Sequence, residues 1–306
     1  MRCAVTGGGG FIGSHLCAAL GRAGAEIRAL GRQARPPALA SGIAWQEGDF
    51  CDPEALGPFL RGVEIVYHLA STSTPASAEA DPAGDAQANV IGTLGLLDLC
   101  VRHNVRRLVF VSSGGTVYGV PAAVPIPETA PTEPISAYGI QKLAIEKYLA
   151  LYQRRHGLDS IVLRVANPFG PLQRARRSQG VVAAFIECAL TGVPLEVWGA
   201  GDVVRDFVYV QDVAEALVLA AEYSGPRRVF NVGSGRGMDL ITIVRGLEEV
   251  LDRGTLPRIH HPARAVDVPV NILDIGLIER EMGWRPRTPW KEGLRRTVEW
   301  TATAVA

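Results

Sequence analysis

The sequence predicts a doubly wound α/β fold: a parallel sheet with helices on both faces, followed by a smaller, discontinuous second lobe. Three observations carry that prediction. Short apolar runs alternate with helix-period stretches through the first half of the 306 residues. A glycine cluster stands where the first run hands over to the first helix. After about Pro168 the rhythm breaks into loops rich in Arg, Gly and Pro at 168–180, 199–206 and 254–269.

The apolar runs at 3–5, 27–30, 65–69, 108–111 and 161–165 each fit a strand buried on both faces. Between them, 11–23, 53–61, 82–103 and 138–156 carry the helical period. Further strands are expected at 207–210 and 229–232, so the division is discontinuous. We expect residues 1–167 in a cofactor-binding domain to which 207–232 returns. Residues 168–206 and 233–306 then form the second lobe.

Composition removes several functions. Basic and acidic side chains number 31 each, so no electrostatic footprint favours nucleic acid or an anionic membrane. A hydrophobic share of 47% with 20% charged residues is that of a folded chain. The five cysteines show no CxxC and no His at metal spacing, and neighbouring His260 and His261 diverge, so no metal is expected. No apolar stretch approaches the ~20 residues of a membrane span, and no basic-then-apolar leader opens the chain, so a cytoplasmic protein is expected.

Gly7, Gly10 and Gly13 have GxxGxxG spacing at a strand–turn–helix junction. Glycines there permit a tight turn, let backbone N–H groups approach a pyrophosphate, and let helix pack on strand. NAD binding would be served by an acidic residue at the end of the second strand, but the chain reads Ala29-Leu30-Gly31-Arg32. Arg32 suits a 2′-phosphate, adenine stacking or plain solvation, so NADP is not excluded on the residues. Asp49 and Phe50 follow the third strand where adenine can be capped, and Leu69-Ala70-Ser71 follow the fourth as small backbone suited to a cofactor.

Tyr138 and Lys142 stand at i and i+4, on one helical face. A phenol of reference pKa ~10 needs about 4 kcal/mol of differential stabilisation to work as a base at neutral pH. A unit charge ~5 Å away supplies about 3 kcal/mol at an effective dielectric of ~20. Lysine and an oxidised nicotinamide together therefore suit Tyr138 to general-base chemistry.

At this point the chain resembles the extended short-chain dehydrogenase/reductases, specifically their nucleotide-sugar epimerase/dehydratase group. The matching segments run almost end to end: 6–13, 68–70, Asn89 to Thr93, 112–119, Tyr138 with Lys142, 163–171, 205–210 and 283–286. The resemblance implies a Rossmann-type first domain and a nucleotide-sugar-binding second lobe. It implies that Phe11 and Ile12 meet the pyrophosphate, and that Asp49 and Phe50 hold adenine. Leu69, Ala70, Ser71, Ser73 and Ser112 line the cofactor, Asn89 orients the helix of Tyr138, and Ala166 faces the nicotinamide. On the substrate side it implies Asn167, Arg205 and Arg264 at the diphosphate, Asp267 at the ribose and Trp198 against uracil. Forked arginine donors suit two phosphates.

Relatives of this kind start with proton removal by Tyr and hydride loss from the sugar, then diverge. Dehydratases and decarboxylases carry a carboxylate near the Val-Tyr-Gly tripeptide, but Gly115 and Thr116 stand here. A threonine cannot abstract a C5 proton as a carboxylate does, which disfavours 4,6-dehydration. The usual hydroxyl partner of the sugar 4-OH is replaced by Gly114, leaving Ser113, Thr116, or Tyr138 with water to take that role. The expected activity is NAD-dependent 4-epimerisation of a UDP-sugar, with a 4-reductase as the competing enzyme. A non-catalytic dinucleotide-binding module is opposed by the intact Tyr138 and Lys142. A homodimer is expected through helices 82–103 and 138–156, which carry apolar residues on more than one face (Ile91, Leu94, Leu97; Leu143, Leu149, Tyr152).

Overall fold

The structure is a computed structural model that describes every residue except 37, 73, 175–179, 264–267 and 306. In chain order the first half comprises β1 (Arg2–Thr6), α1 (Phe11–Arg22), β2 (Glu26–Gly31), β3 (Ala44–Glu47), α2 (Pro53–Leu60) and β4 (Ile65–His68). It continues with α3 (Pro75–Ala80), α4 (Pro82–Ala86), a π-helical turn (Gln87–Ile91), α5 (Gly92–Arg102), β5 (Arg107–Ser113), α6 (Ala137–His156) and β6 (Asp159–Val165). Then follow β7 (Asn167–Phe169), α7 (Val181–Thr191), β8 (Leu195–Trp198), β9 (Val204–Tyr209), α8 (Val210–Glu222) and β10 (Val229–Val232). The chain closes with β11 (Gly237–Met238), α9 (Leu240–Val250), β12 (Arg258–His261), β13 (Val270–Asn271), α10 (Gly276–Met282) and α11 (Trp290–Val305).

Seven parallel strands form the main sheet in the order β10-β6-β5-β4-β1-β2-β3. The strand order reverses beside β1, which opens a crevice at the carboxyl ends of β1 and β4. Alternate residues of each central strand feed different cores. Val5, Tyr67 and Val109 pack with Leu16, Leu20 and Leu217 on the face of α1 and α8. Ala4, Val66 and Phe110 pack with Leu60, Leu97 and Ile145 on the face of α2, α5 and α6. Burial on both faces explains why these strands read as continuous apolar runs. The edge strand β3, expected just before Asp49 without bounds, is only half covered and carries no such run.

The long helix α6 has clear physical ends. Ser136 Oγ accepts from Gly139 N at 3.1 Å as its N-cap. Gly157 closes it in the left-handed conformation at φ 70°, with Arg154, Arg155 and His156 against the negative end of the dipole. The helix expected across 82–103 is divided: α4 gives way to the π turn before α5 resumes. That widened turn carries Asn89, as π segments at functional sites often do.

A third core, centred on Phe185, Ile186, Val197, Tyr209, Ile243 and Leu247, belongs to the second lobe. Its sheet is built on β9, which pairs β7, β11 and β13. The stretch 207–232, expected to return whole to the first domain, is therefore split. Phe207–Tyr209 stays with the second sheet, α8 packs on α1, and β10 joins β6. The reason is local: β9 pairs Phe207 with Asn167 immediately after β6 ends, so the chain has already left the main sheet. Leu273, Ile278 and Trp284, from the second segment, pack back into the first core.

Of the apolar residues expected at a dimer face, Leu97 and Leu149 are instead fully buried within the same chain. Leu94, Leu143 and Tyr152 are partly buried against the cores. Exposed apolar side chains on these helices are Ile91, Ile140, Tyr148 and Leu151. No helix among the described residues is long and apolar enough to cross a membrane.

Asp206 on β9 ties the second sheet to its neighbours. Its buried carboxylate accepts from Ser234 N (2.7 Å), Ser234 Oγ (2.6 Å), Gly235 N (3.2 Å) and Leu273 N (3.3 Å). Asp206→Ala strands these donors and is expected to cost at least about 3 kcal/mol, measured as the fall in unfolding free energy in urea.

Candidate active site

The glycine turn and the loop after β4 meet across the crevice. Gly7 sits at φ 72°, and a Cβ there would lie 2.9 Å from Ala70 N. A Cβ on Gly10 would lie 3.2 Å from the Gly7 carbonyl oxygen, and one on Gly13 would overlap it. Phe11 and Ile12 open α1 directly above this turn. With no side chain at these three positions the turn closes on itself and on Ala70, the tight backbone that a pyrophosphate-binding turn requires. The dinucleotide-binding residues therefore fit the group.

Around the turn, Leu69 N donates to Thr6 O at 3.2 Å and Ala70 N to Thr6 Oγ1 at 3.4 Å. Asp49 Oδ1 accepts from Cys51 N at 2.9 Å, while Phe50 is buried with its ring edge on His68. Arg32 is exposed at the end of β2. Ala166 is buried where β6 ends, its N–H bonded to Val232 O at 2.8 Å. The Ser112 hydroxyl donates to Glu146 Oε1 at 2.5 Å, so it is turned into the fold. Ser73 lies outside the described residues.

Ser71, Asn89, Tyr138, Gln141 and Lys142 line one small cavity with Ala70, Thr93 and Ile145. Tyr138 and Lys142 project from the first two turns of α6, and the Lys142 ammonium lies 5.6 Å from the Tyr138 ring centre. Lys142 Nζ donates to Val111 O at 3.1 Å and sits 4.9 Å over Phe110. Asn89 Oδ1 accepts from Thr72 N at 2.9 Å, and its Nδ2 donates to Asp85 Oδ1 at 2.6 Å. Asp85 was not anticipated. It stands one turn before Asn89, a spacing that could have flagged it, and its Oδ2 is buried with no hydrogen-bond partner among the described residues.

Gly114 has a structural cause. A Cβ there would lie 2.5 Å from Leu273 Cδ1 and 3.0 Å from Arg164 O, so a side chain at this place would need Leu273 to move. Thr116 is brought to the start of α6 instead: a Cβ on Gly139 would lie 2.8 Å from Thr116 O. Thr116 Oγ1 is buried and has no partner among the described residues, whereas Ser113 is half-buried at the end of β5.

On the second lobe, Asn167 Nδ2 donates to Asp206 O at 3.0 Å, and Arg205 Nη1 to Val268 O at 2.5 Å. Trp198 is half-buried and stacks on His261 with centroids 5.0 Å apart. Arg264 and Asp267 lie outside the described residues. Among the described residues no group of three His, Cys, Asp or Glu side chains is arranged for a metal.

The electrostatics are those of a dry site. Burial, with the Asp85 charge beside it, pushes the Tyr138 phenol up to about 12. Burial pushes Lys142 down to about 8 against the opposing pull of Asp85 and Glu146. Both groups are thereby held toward their neutral forms. Because Lys142 is depressed from 10.5 to about 8, its contribution to stability is full above pH 10.5 and is lost as pH falls through about 8. Tyr138, shifted the opposite way, acts between pH 10 and about 12. In cofactor-free protein, Lys142→Met is expected to abolish this dependence, about 1.4 kcal/mol per pH unit for a single proton, read from melting curves at stepped pH.

Known proteins resemble this chain over its whole length. Residues 3–233 match the family model for the NAD dependent epimerase/dehydratase family. The chain is 34% identical over 310 residues to a UDP-glucose 4-epimerase of Mycolicibacterium smegmatis, covering 98% of each. A crystal structure of UDP-glucose 4-epimerase with UDP-glucose, from Thermotoga maritima, superposes with TM-score 0.95 at 37% identity over 100% of both chains. The Thermus thermophilus UDP-glucose 4-epimerase complex with NAD gives TM-score 0.89 at 35% identity over 98% of both. The family model over residues 3–233 and relatives that match the whole chain place this protein, with its glycine turn and its Tyr138–Lys142 pair, in the NAD dependent epimerase/dehydratase family.

Proposed function

We propose that the chain is an NAD-dependent nucleotide-sugar 4-epimerase whose substrate is a UDP-hexose. The observation that carries this reading is the site's donor set. Tyr138 and Lys142 share a cavity beside the glycine turn, while Gly115 and Thr116 stand where a dehydratase needs a carboxylate. Removing and returning the 4-hydroxyl proton and the hydride on the carbon that bears it needs no second acid or base. NAD, when bound, would supply the hydride acceptor and donor, and in its oxidised form a positive charge.

The protein's own part follows from its geometry. Tyr138 accepts the 4-hydroxyl proton and gives it back after the 4-keto sugar has turned over in the site. Lys142 holds its charge beside the phenol and stabilises the phenolate. Thr116, with its unpartnered hydroxyl next to the first turn of α6, takes the place of the hydroxyl that Gly114 lacks, with Ser113 beside it. Asn167, Arg205 and Trp198 hold the nucleotide diphosphate together with Arg264 and Asp267. Arg32, exposed after β2, would stack on the adenine. The protein works in the cytoplasm, in keeping with five unpaired cysteines.

Tyr138→Phe is expected to keep dinucleotide and UDP-sugar binding while turnover falls by about 10²–10⁴-fold, because only the base is lost. Assaying a panel of UDP-, dTDP- and GDP-sugars for 4-epimer formation tests the reading itself; production of a 4-keto-6-deoxy sugar in place of an epimer would replace it.

The exposed Ile91, Ile140, Tyr148 and Leu151 support a homodimer through α5 and α6. Light scattering at micromolar protein is expected to give twice the chain mass, and Ile140→Glu to reduce it to one; a monomeric parent protein ends the dimer assignment.

A further inference from the structure

Folds of this kind place a carboxylate at the end of the second strand, about 20 residues past the glycine turn, to hold the adenosine ribose 2′-hydroxyl. Here that place is Gly31. The structure shows what fills the room. Trp45 on β3 stands opposite Ala29, and its indole reaches along the strand end. A Cβ on Gly31 would lie 2.5 Å from Trp45 Cη2 and 3.0 Å from Cζ2. A Cβ on Gly9 would lie 2.8 Å from the same Cη2 and 2.7 Å from Pro36 Cγ. The ring is thus wedged between the glycine turn and the end of β2, with Pro36 against Gly9.

The wedge is held in place. Arg35 clamps the loop behind it, donating from Nη1 to Ile43 O (2.6 Å) and from Nη2 to Ala40 O (2.8 Å). Leu39 and Ile43 of that loop are buried in the first core, against which Trp45 also packs. Arg35 is therefore spent on backbone carbonyls. The indole N–H is buried without a partner among the described residues, so the ring is held by packing and not by a hydrogen bond.

We propose that Trp45 sets the cofactor preference: its indole occupies the space between Gly9 and Gly31 that a 2′-phosphate would need, so the site takes NAD and rejects NADP without a carboxylate. The assignment rests on the dinucleotide reading above and extends it to the adenosine end. Chemically, the bulky ring replaces the usual charge repulsion by exclusion of volume.

Cofactor-free protein titrated with NADH and NADPH, followed by nicotinamide fluorescence, tests this without any sugar. Wild type is expected to bind NADH at least about tenfold tighter, and Trp45→Ala to reduce that ratio by about tenfold or more. Trp45→Phe keeps most of the ring volume and is expected to keep the preference. The double variant Gly31→Asp/Trp45→Ala, which puts a carboxylate into the vacated room, is expected to restore it and guards against poor folding of the single alanine variant. A wild type that binds both dinucleotides equally, an unchanged ratio in Trp45→Ala, or a Phe variant as permissive as the Ala variant overturns the assignment of Trp45. Binding of neither dinucleotide by wild type overturns the cofactor reading as well.

Discussion

The buried ion pair between Glu146 and Arg164 fixes where α6 lies on the sheet, and the site depends on that placement. Arg164 Nη2 donates to Glu146 Oε2 at 2.7 Å, and both side chains are almost wholly buried. Such a pair is costly to desolvate and persists only when its remaining polar atoms are satisfied. Here they are: Ser112 donates to Glu146, Arg164 Nη1 donates to Tyr118 Oη, and Tyr118 donates to Asn231 Oδ1 at 2.7 Å. Asn231 in turn donates to Ile126 O and Asp274 O. One network thus joins α6, β5, β6, β10 and the segment after β13. Glu146 is one turn beyond Lys142, so fixing it sets the height and rotation of Lys142 and Tyr138 over the crevice.

The second half of the site is a matter of close backbone approach. The glycine turn can touch the loop after β4 because Gly7 has no side chain to meet Ala70. The same economy of space recurs at Gly114 against Leu273, and at Gly31 against Trp45. In each case a neighbour from a distant part of the sequence has taken the volume that a side chain would occupy. Packing at crystal-like density makes such exchanges exact to fractions of an ångström.

Burial gives the site its chemistry and also its limits. His68, bonded to Thr6 Oγ1 at 2.8 Å and Thr93 Oγ1 at 3.0 Å, is pushed down to about 3 by burial and then by the Lys142 charge. It is therefore a neutral strut between β1, β4 and α5. Tyr138 and Lys142 are driven toward their neutral forms by the same dryness. A charge arriving in such a site acts at low effective dielectric and is felt more strongly than in water.

Much of this protein was legible in its residues. Apolar runs on both-face-buried strands, the period of the helices and the glycine turn determined the main sheet, and the i, i+4 spacing put Tyr138 and Lys142 on one face of α6. These features are local, because backbone geometry repeats over a few residues. The half-covered strand β3, the split of 207–232 between two sheets and the break in helix 82–103 were decided only by the tertiary structure, since each depends on what packs alongside. So were the neighbours of single positions: Asp85 beside Tyr138 and Lys142, Leu273 over Gly114, Trp45 against Gly31. Sequence alone names the residue at each place, but the space around it is set by side chains that approach from elsewhere in the chain, and that is fixed only when the fold closes.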